Sequence, residues 1–239
     1  MPSSFLTAHW KKLILANYAV DPEILKPYLP AGTELDIWND TCYVSVVGFL
    51  FEEVKLKGFS VPGYTSFPEV NLRFYVRRFE NGEWKRGVVF IKELVPKTLI
   101  SLTANILYKG NYQTLPMRHQ WDFLENEQRI EYEWKVNKHW NFLRVRAGIE
   151  PIEIKEESEA EFITEHYWGY TKVSATKTSA YEVKHPRWKV YRMHNLNFSF
   201  STKELFGEAF VPYLETKPIS IFLAEGSEIE VMEGTKITV

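Results

Sequence analysis

The segment QRIEYEWKVN, residues 128–137, alternates apolar and polar side chains without a break, with Ile130, Tyr132, Trp134 and Val136 on one side. An extended strand sends successive side chains to opposite faces, so a period of two predicts a half-buried strand rather than a helix. The same period recurs along most of the chain. Segments 10–20, 42–53, 69–78, 87–94 and 113–123 read as strands rich in Val, Tyr, Phe and Trp, and 141–147 reads as the partner of 128–137. Later strands are expected at 181–190, 195–200, 218–224 and 228–232.

Helices are fewer and short. In DPEILKPYLP, Asp21 is a cap and Pro22 sits in the first turn, while Pro27 and Pro30 keep the helix brief. KTLISLTANILYKG carries Leu99, Leu102, Thr103 and Ile106 at helical spacing, which predicts a helix over 97–106 stopped by Gly110. SEAEFITE and STKELFGEAF each open with a capping-box pattern, Ser158 to Glu161 and Ser201 to Glu204. The acidic run IEIKEESEAE reads as solvated surface and marks a subdomain boundary near 150–160 within one domain spanning 1–239.

Composition removes several functions. Lys and Arg (29) nearly balance Asp and Glu (31), so no basic excess exists to neutralise a phosphate backbone, which argues against nucleic acid as a partner. No apolar run approaches the ~20 residues of a membrane-spanning helix, and the N-terminal segment lacks the apolar length of a signal peptide, so no membrane partner is expected. The single Cys42 excludes an intramolecular disulfide and fits a reducing, cytoplasmic compartment. The six histidines form no HxxxH or HxH pair and there is no CxxC, so no metal is expected. Neither GxGxxG, GxxxxGK[ST] nor GxSxG occurs, and no cofactor is called for.

The segments YAVDPEILKPYLPAGTELDIWNDTCYVSVVGF, FPEVNLRFYVR with GVVF, FITEHYWGYT and VKHPRW occur in this order along the chain. Together they resemble the YqjF-like family of uncharacterised bacterial proteins, itself distantly similar to acetoacetate decarboxylase. The resemblance implies a mostly β (α+β) chain forming a closed, mostly antiparallel β structure around an internal cavity, with a few short helices. Acetoacetate decarboxylase forms a Schiff base through a lysine in a Gly-aromatic-Pro-Lys-Lys segment after a helix, and that chemistry needs a neutral amine. The matching stretch here is LYKGNYQT, residues 107–114, which puts Tyr112 at the reactive lysine and Gln113 at its cationic neighbour. A phenol cannot form an imine, so the decarboxylase mechanism is not expected unless Lys109 or Lys92 supplies the amine. The resemblance further sets Glu69 on the active-site glutamate and Lys11 on a basic residue of that site.

These matches sharpen one question. In FPEVNLRFYVRRF, polar Glu69, Asn71 and Arg73 share one strand face, while Val70, Leu72, Phe74 and Val76 share the other. Facing water, the polar set would be an ordinary surface with an ion pair contributing under ~1 kcal/mol. Facing a cavity, it would orient a small organic ligand, polar or anionic, with Glu69 and Tyr112 as candidate catalytic groups and Lys11, Asn71, Arg73, Tyr108 and Arg118 as candidate ligand contacts. A buried Glu69 would then be hydrogen-bonded, most simply to Arg73 or to a neighbouring strand, and losing Arg73 would cost roughly 3–5 kcal/mol. The cluster His166, Tyr167, Trp168 and Tyr170 in EHYWGYT reads as core. Either a binding protein or an enzyme fits this reading; a non-catalytic partner-binding domain fits a filled core instead. With no metal motif and no disulfide, a chelator should leave the melting temperature unchanged in a thermal scan; a large drop would reveal a structural metal.

Overall fold

A computed structural model describes residues 4–98 and 110–239. The first strands are β1 (Ser4–Ala19), β2 (Glu34–Leu35), β3 (Tyr43–Leu56), β4 (Phe59–Ser60), β5 (Phe67–Glu80), β6 (Glu83–Val95) and β7 (Tyr112–Thr114). Next come β8 (Met117–Phe123), β9 (Gln128–Val136), β10 (His139–Glu153), helix α1 (Glu159–Thr164), β11 (Trp168–Lys172) and β12 (Lys177–Lys184). The chain ends with β13 (Lys189–Ser199), α2 (Thr202–Phe206), α3 (Val211–Leu214), β14 (Ser220–Met232) and β15 (Thr235–Thr238). The helix expected over 97–106 falls almost entirely outside the described residues.

The alternating segments are strands, with three changes of boundary. The strand expected over 113–123 is two, β7 and β8. The one expected over 181–190 breaks at His185–Pro186, where proline lacks the amide a ladder needs. Conversely, 218–224 and 228–232 belong to one strand, β14. Asp21 accepts from the Glu23 amide at 2.9 Å and starts a 3-10 helix, Pro22–Tyr28. Ser158 accepts from the Glu161 amide at 3.3 Å and starts α1, but Ser201 makes no side-chain cap at α2. There Thr202 is buried at the first turn, and Gly207 (φ 97°) ends the helix.

All strands join one mixed sheet, ordered β15-β12-β11-β6-β5-β3-β1-β14-β13-β10-β9-β8. Most neighbours are antiparallel; β6 meets β7 and β11 in parallel. A second pairing of β12, with β14 through Val183↔Val231 and Lys184↔Glu230, closes the path β14-β1-β3-β5-β6-β11-β12 into a ring. The strands beyond β14 fold back over this ring. Val70, Leu72, Phe74 and Val76 of β5 pack in one apolar core with Ile130, Tyr132 and Trp134 of β9 and Leu143 and Val145 of β10. The apolar side of β5 is therefore already covered by a second layer, and its polar side must face the interior of the ring.

Two glycines let the layers meet. Gly48 of β3 lies under the Tyr132 ring, where an added Cβ would stand 2.9 Å from the ring. Gly226 of β14, opposite Lys11 of β1, has φ +83°, and a Cβ there would lie 2.0 Å from the Trp10 carbonyl oxygen. Among the described residues no helix is long and apolar enough to cross a membrane. Because Gly226→Ala combines a left-handed backbone with a clash against main chain, it should cost more than ~2 kcal/mol in urea unfolding; a change under ~0.5 kcal/mol would mean that the β1–β14 seam bends freely.

Candidate functional site

Inside the ring lies a cavity of about 210 Å³, and every ring strand contributes to its wall. Most of that wall is apolar, with Trp10, Phe49, Phe51, Phe67, Phe90 and Val183 among its residues. Against it stands a polar wall formed by Glu69, Asn71 and Arg73 of β5, Glu93 of β6, Tyr112 of β7, and His166 and His185. Glu69, Asn71, Arg73 and Glu93 are all under one-tenth exposed.

Backbone register assembles the acidic part. Asn71 lies directly opposite Glu93 across β5–β6, and Glu93 lies beside Tyr112 across the parallel β6–β7 pair. Between them β6 carries a bulge: Leu72 pairs with Lys92 but Arg73 pairs with Phe90, leaving Ile91 as an extra residue. The bulge resets the alternation, so that Phe90 and Glu93, three residues apart, both line the cavity. Strict alternation through 87–94 hides Glu93, which is why sequence reasoning missed it. Ile91 and Lys92 then share the face turned from the cavity, and since one is apolar and the other charged, the sequence carries no mark of the bulge.

Asn71 Nδ2 donates to Glu69 Oε1 at 3.0 Å. Burial pushes the Glu69 carboxyl up to about 7, while Asn71 and the charge of Arg73 hold it from rising further. Burial and the neighbouring Glu69 push Glu93 well above the ordinary carboxylate range, opposed only by the hydrogen bond that the Tyr112 hydroxyl donates to it. Tyr112 is itself pushed well up by burial and by Glu93 and Glu69, so it remains a neutral donor. Both carboxyls are thus held toward their protonated forms, an arrangement suited to giving and taking protons.

The other polar groups lie near Arg73. Its guanidinium donates to the Ile163 carbonyl at 3.4 Å, and its Nε has no partner among the described residues. The expected Glu69–Arg73 hydrogen bond is thus replaced by Glu69–Asn71 and Arg73–Ile163, with Arg73 acting on Glu69 through its charge alone. Because Glu69 can take up a proton, losing Arg73 need not strand a fixed buried charge, and the expected cost is below the roughly 3–5 kcal/mol of a broken buried pair. His166 Nε2 lies 3.2 Å from Asp36 Oδ2, which also accepts from Arg86 Nε at 2.6 Å. Burial lowers His166 to about 4, outweighing Asp36. His185 donates from Nδ1 to the Pro186 carbonyl at 2.9 Å and stacks on Trp188; burial lowers it too. Of the EHYWGYT cluster read as core, Tyr170 is core, but His166 and Trp168 line the cavity.

Other candidates lie elsewhere. Lys11 is half-exposed and pairs with Glu52 at 2.6 Å, off the cavity wall. Arg118 is exposed on β8, where it pairs with Glu133 and covers the Trp140 ring. Both sit on strands whose alternation turns them outward. Lys92 faces away with Leu72. Tyr108 and Lys109 lie outside the described residues. Cys42 is buried, its thiol pushed up to about 11 mainly by that burial. Among the described residues no group of three or more His, Cys, Asp or Glu could hold a metal ion.

The fold of this chain is that of the acetoacetate decarboxylase-like enzymes. The chain is similar to such an enzyme from Sphingomonas wittichii RW1, with TM-score 0.66 and 11% identity over 99% of this chain and 94% of that one. It is similar to acetoacetate decarboxylase from Legionella pneumophila, with TM-score 0.65 and 12% identity over 99% and 88%. The enduracididine biosynthesis enzyme MppR, complexed with pyruvate, gives TM-score 0.67 and 12% identity over 99% and 91%. At these identities the likeness is one of fold. By sequence, the chain belongs to the DUF2071 family, described as an uncharacterized conserved protein, which it matches over residues 7–228. It is 28% identical over 167 residues to the uncharacterized protein YqjF of Bacillus subtilis (strain 168), a match covering 68% of this chain and 65% of that relative.

The raised Glu69 carboxyl carries a pH dependence. Folding raises its affinity for a proton, so between the ordinary value of 4.5 and about 7 the folded state binds more protons than the unfolded. Stability therefore falls as pH rises through that window. Glu69→Gln removes its share of the fall, and urea titrations should show it gaining on the order of 2–3 kcal/mol on wild type between pH 5 and pH 8. Parallel profiles for the two proteins would mean that Glu69 stays ionised and solvated.

Proposed function

We propose that the cavity binds a small organic molecule with a polar or anionic head, and that the Glu69–Glu93 pair with Tyr112 performs acid–base chemistry on it. The observation that carries this reading is a pair of buried carboxyls, Glu69 and Glu93, on neighbouring strands of one cavity wall. A chain that needed only to be stable would fill such a space with apolar side chains, since burying carboxyls costs free energy. The apolar wall receives the body of the ligand, and Arg73, with an unpartnered Nε, receives an acceptor on its head. MppR, of like fold, is complexed with pyruvate, which agrees in size and charge with the ligand proposed here.

Imine chemistry is not part of this proposal. Among the described residues no lysine lines the cavity, and Tyr112 occupies a strand beside Glu93 where a phenol can donate but not condense. A filled core at Glu69 would have favoured a purely structural or partner-binding role; a cavity beside it favours a ligand. Native mass spectrometry of freshly purified protein should show a stoichiometric co-purifying small molecule that is lost in Glu69→Gln. Incubation with acetoacetate and borohydride should leave the protein mass unchanged. A stable, stoichiometric adduct on a lysine would overturn the acid–base reading in favour of a lyase.

A further inference from the structure

Four buried polar atoms of the cavity-lining residues have no hydrogen-bond partner among the described residues: Trp10 Nε1, Asn71 Oδ1, Arg73 Nε and His166 Nδ1. A buried donor or acceptor left unpaired costs ~1–3 kcal/mol, so such atoms gathered around one cavity describe what its occupant supplies. The two nitrogens of Trp10 and Arg73 are donors and call for an acceptor. Asn71 Oδ1 is an acceptor and calls for a donor.

The remaining atom, His166 Nδ1, depends on where the ring holds its proton. Asp36 is 4% exposed and accepts from Arg86 Nε at 2.6 Å. Beside a guanidinium its carboxyl is ionised and has no proton to give, so His166 Nε2, 3.2 Å from Oδ2, carries the ring proton. The His166 side chain is 1% exposed, and a neutral ring with Nε2 protonated has a bare lone pair at Nδ1. Asp36, which is not part of the cavity wall, engages Nε2, and Nδ1 is the polar atom of His166 left without a partner.

We infer that the ligand of this cavity is a hydroxylated organic anion, its anionic group received by Arg73 and its hydroxyl donated to His166 Nδ1, with Asp36 as the positioning residue that fixes the tautomer. This rests on the binding reading above and narrows its substrate class. A keto group, which offers only acceptors, leaves both His166 Nδ1 and Asn71 Oδ1 unpaired. A hydroxyl satisfies one of them and still accepts from a donor.

The test uses three carboxylates of one shape: 3-phenyllactate, phenylpyruvate and 3-phenylpropionate, differing only in hydroxyl, keto or methylene at C2. Calorimetric titration of the full chain should give 3-phenyllactate about tenfold tighter binding than either partner, the size of one hydrogen bond. His166→Phe should abolish that preference, so that 3-phenyllactate and 3-phenylpropionate bind equally. Equal affinities in wild type, or a preference that survives His166→Phe, would overturn the inference while leaving the binding reading intact; no binding of any of the three would overturn both. A ligand-free readout keeps the inference falsifiable should His166→Phe not fold. Nitrogen-15 spectra of wild type should show His166 protonated at Nε2, and Asp36→Leu should let the Nδ1-protonated form appear. Protonation at Nδ1 in wild type, or a tautomer unaltered in Asp36→Leu, would likewise overturn it.

Discussion

Two carboxyl groups held out of water on neighbouring strands set the terms for the rest of this molecule. Glu69 and Glu93 repel each other when both are ionised, and burial deprives both of the solvent that would screen them. Such a pair persists in a stable protein only where the fold supplies a proton, donors and a cation at fixed positions. Asn71 and Tyr112 are those donors, Arg73 is the cation, and each is set by strand register rather than by a mobile loop. The second layer on the outer side of β5 makes this possible: with Val70, Leu72, Phe74 and Val76 sealed against β9 and β10, the strand has no other face on which to carry its polar residues.

The architecture was largely legible because alternation is a local signal. The strict pattern of 128–137 identified β9, and its predicted partner is β10, paired antiparallel from His139↔Val136 to Ala147↔Gln128. The polar face of 69–73 was legible as a face, but not which way it looked; that depends on what covers the opposite side, a long-range fact of packing. Capping went the same way. Asp21 and Ser158 accept from the amides their caps imply, whereas Ser201 does not, because Thr202 is drawn into the core and sets the helix start by packing.

The site was legible only in part, for a definite physical reason. A period-two reading of 87–94 assumes an unbroken ladder, and the bulge at Ile91 violates it. Unbulged, β6 would align Lys92 with Phe90 on the cavity side and turn Glu93 into the core. The sequence reading weighed Lys92 only as an amine near the matched segment 107–114 and passed over Glu93. One unpaired backbone residue thus decides whether Glu69 has a carboxyl or an ammonium group for a neighbour, and so which chemistry the cavity suits. His166 was obscured differently: its aromatic neighbours suggested core, and the partner that defines its role, Asp36, lies 130 residues away.

The ring is not stitched evenly. β1, β3, β5 and β6 run alongside one another for most of their lengths, but β6 meets β11 only at Trp168↔Gly87 and Gly169↔Val88, and β12 meets β14 only at Val183↔Val231 and Lys184↔Glu230. Unzipping a seam of two rungs needs less free energy than unzipping a long ladder, so the main chain contributes least to closing the ring at these two joints. Strands β11 and β12 lie between them and are held by side chains instead: the Tyr170 hydroxyl donates to the Lys85 carbonyl at 3.2 Å, and Lys85 lies over the Trp168 ring. Closure of the ring there depends on side-chain packing, whereas between β1, β3, β5 and β6 it rests on the ladder itself.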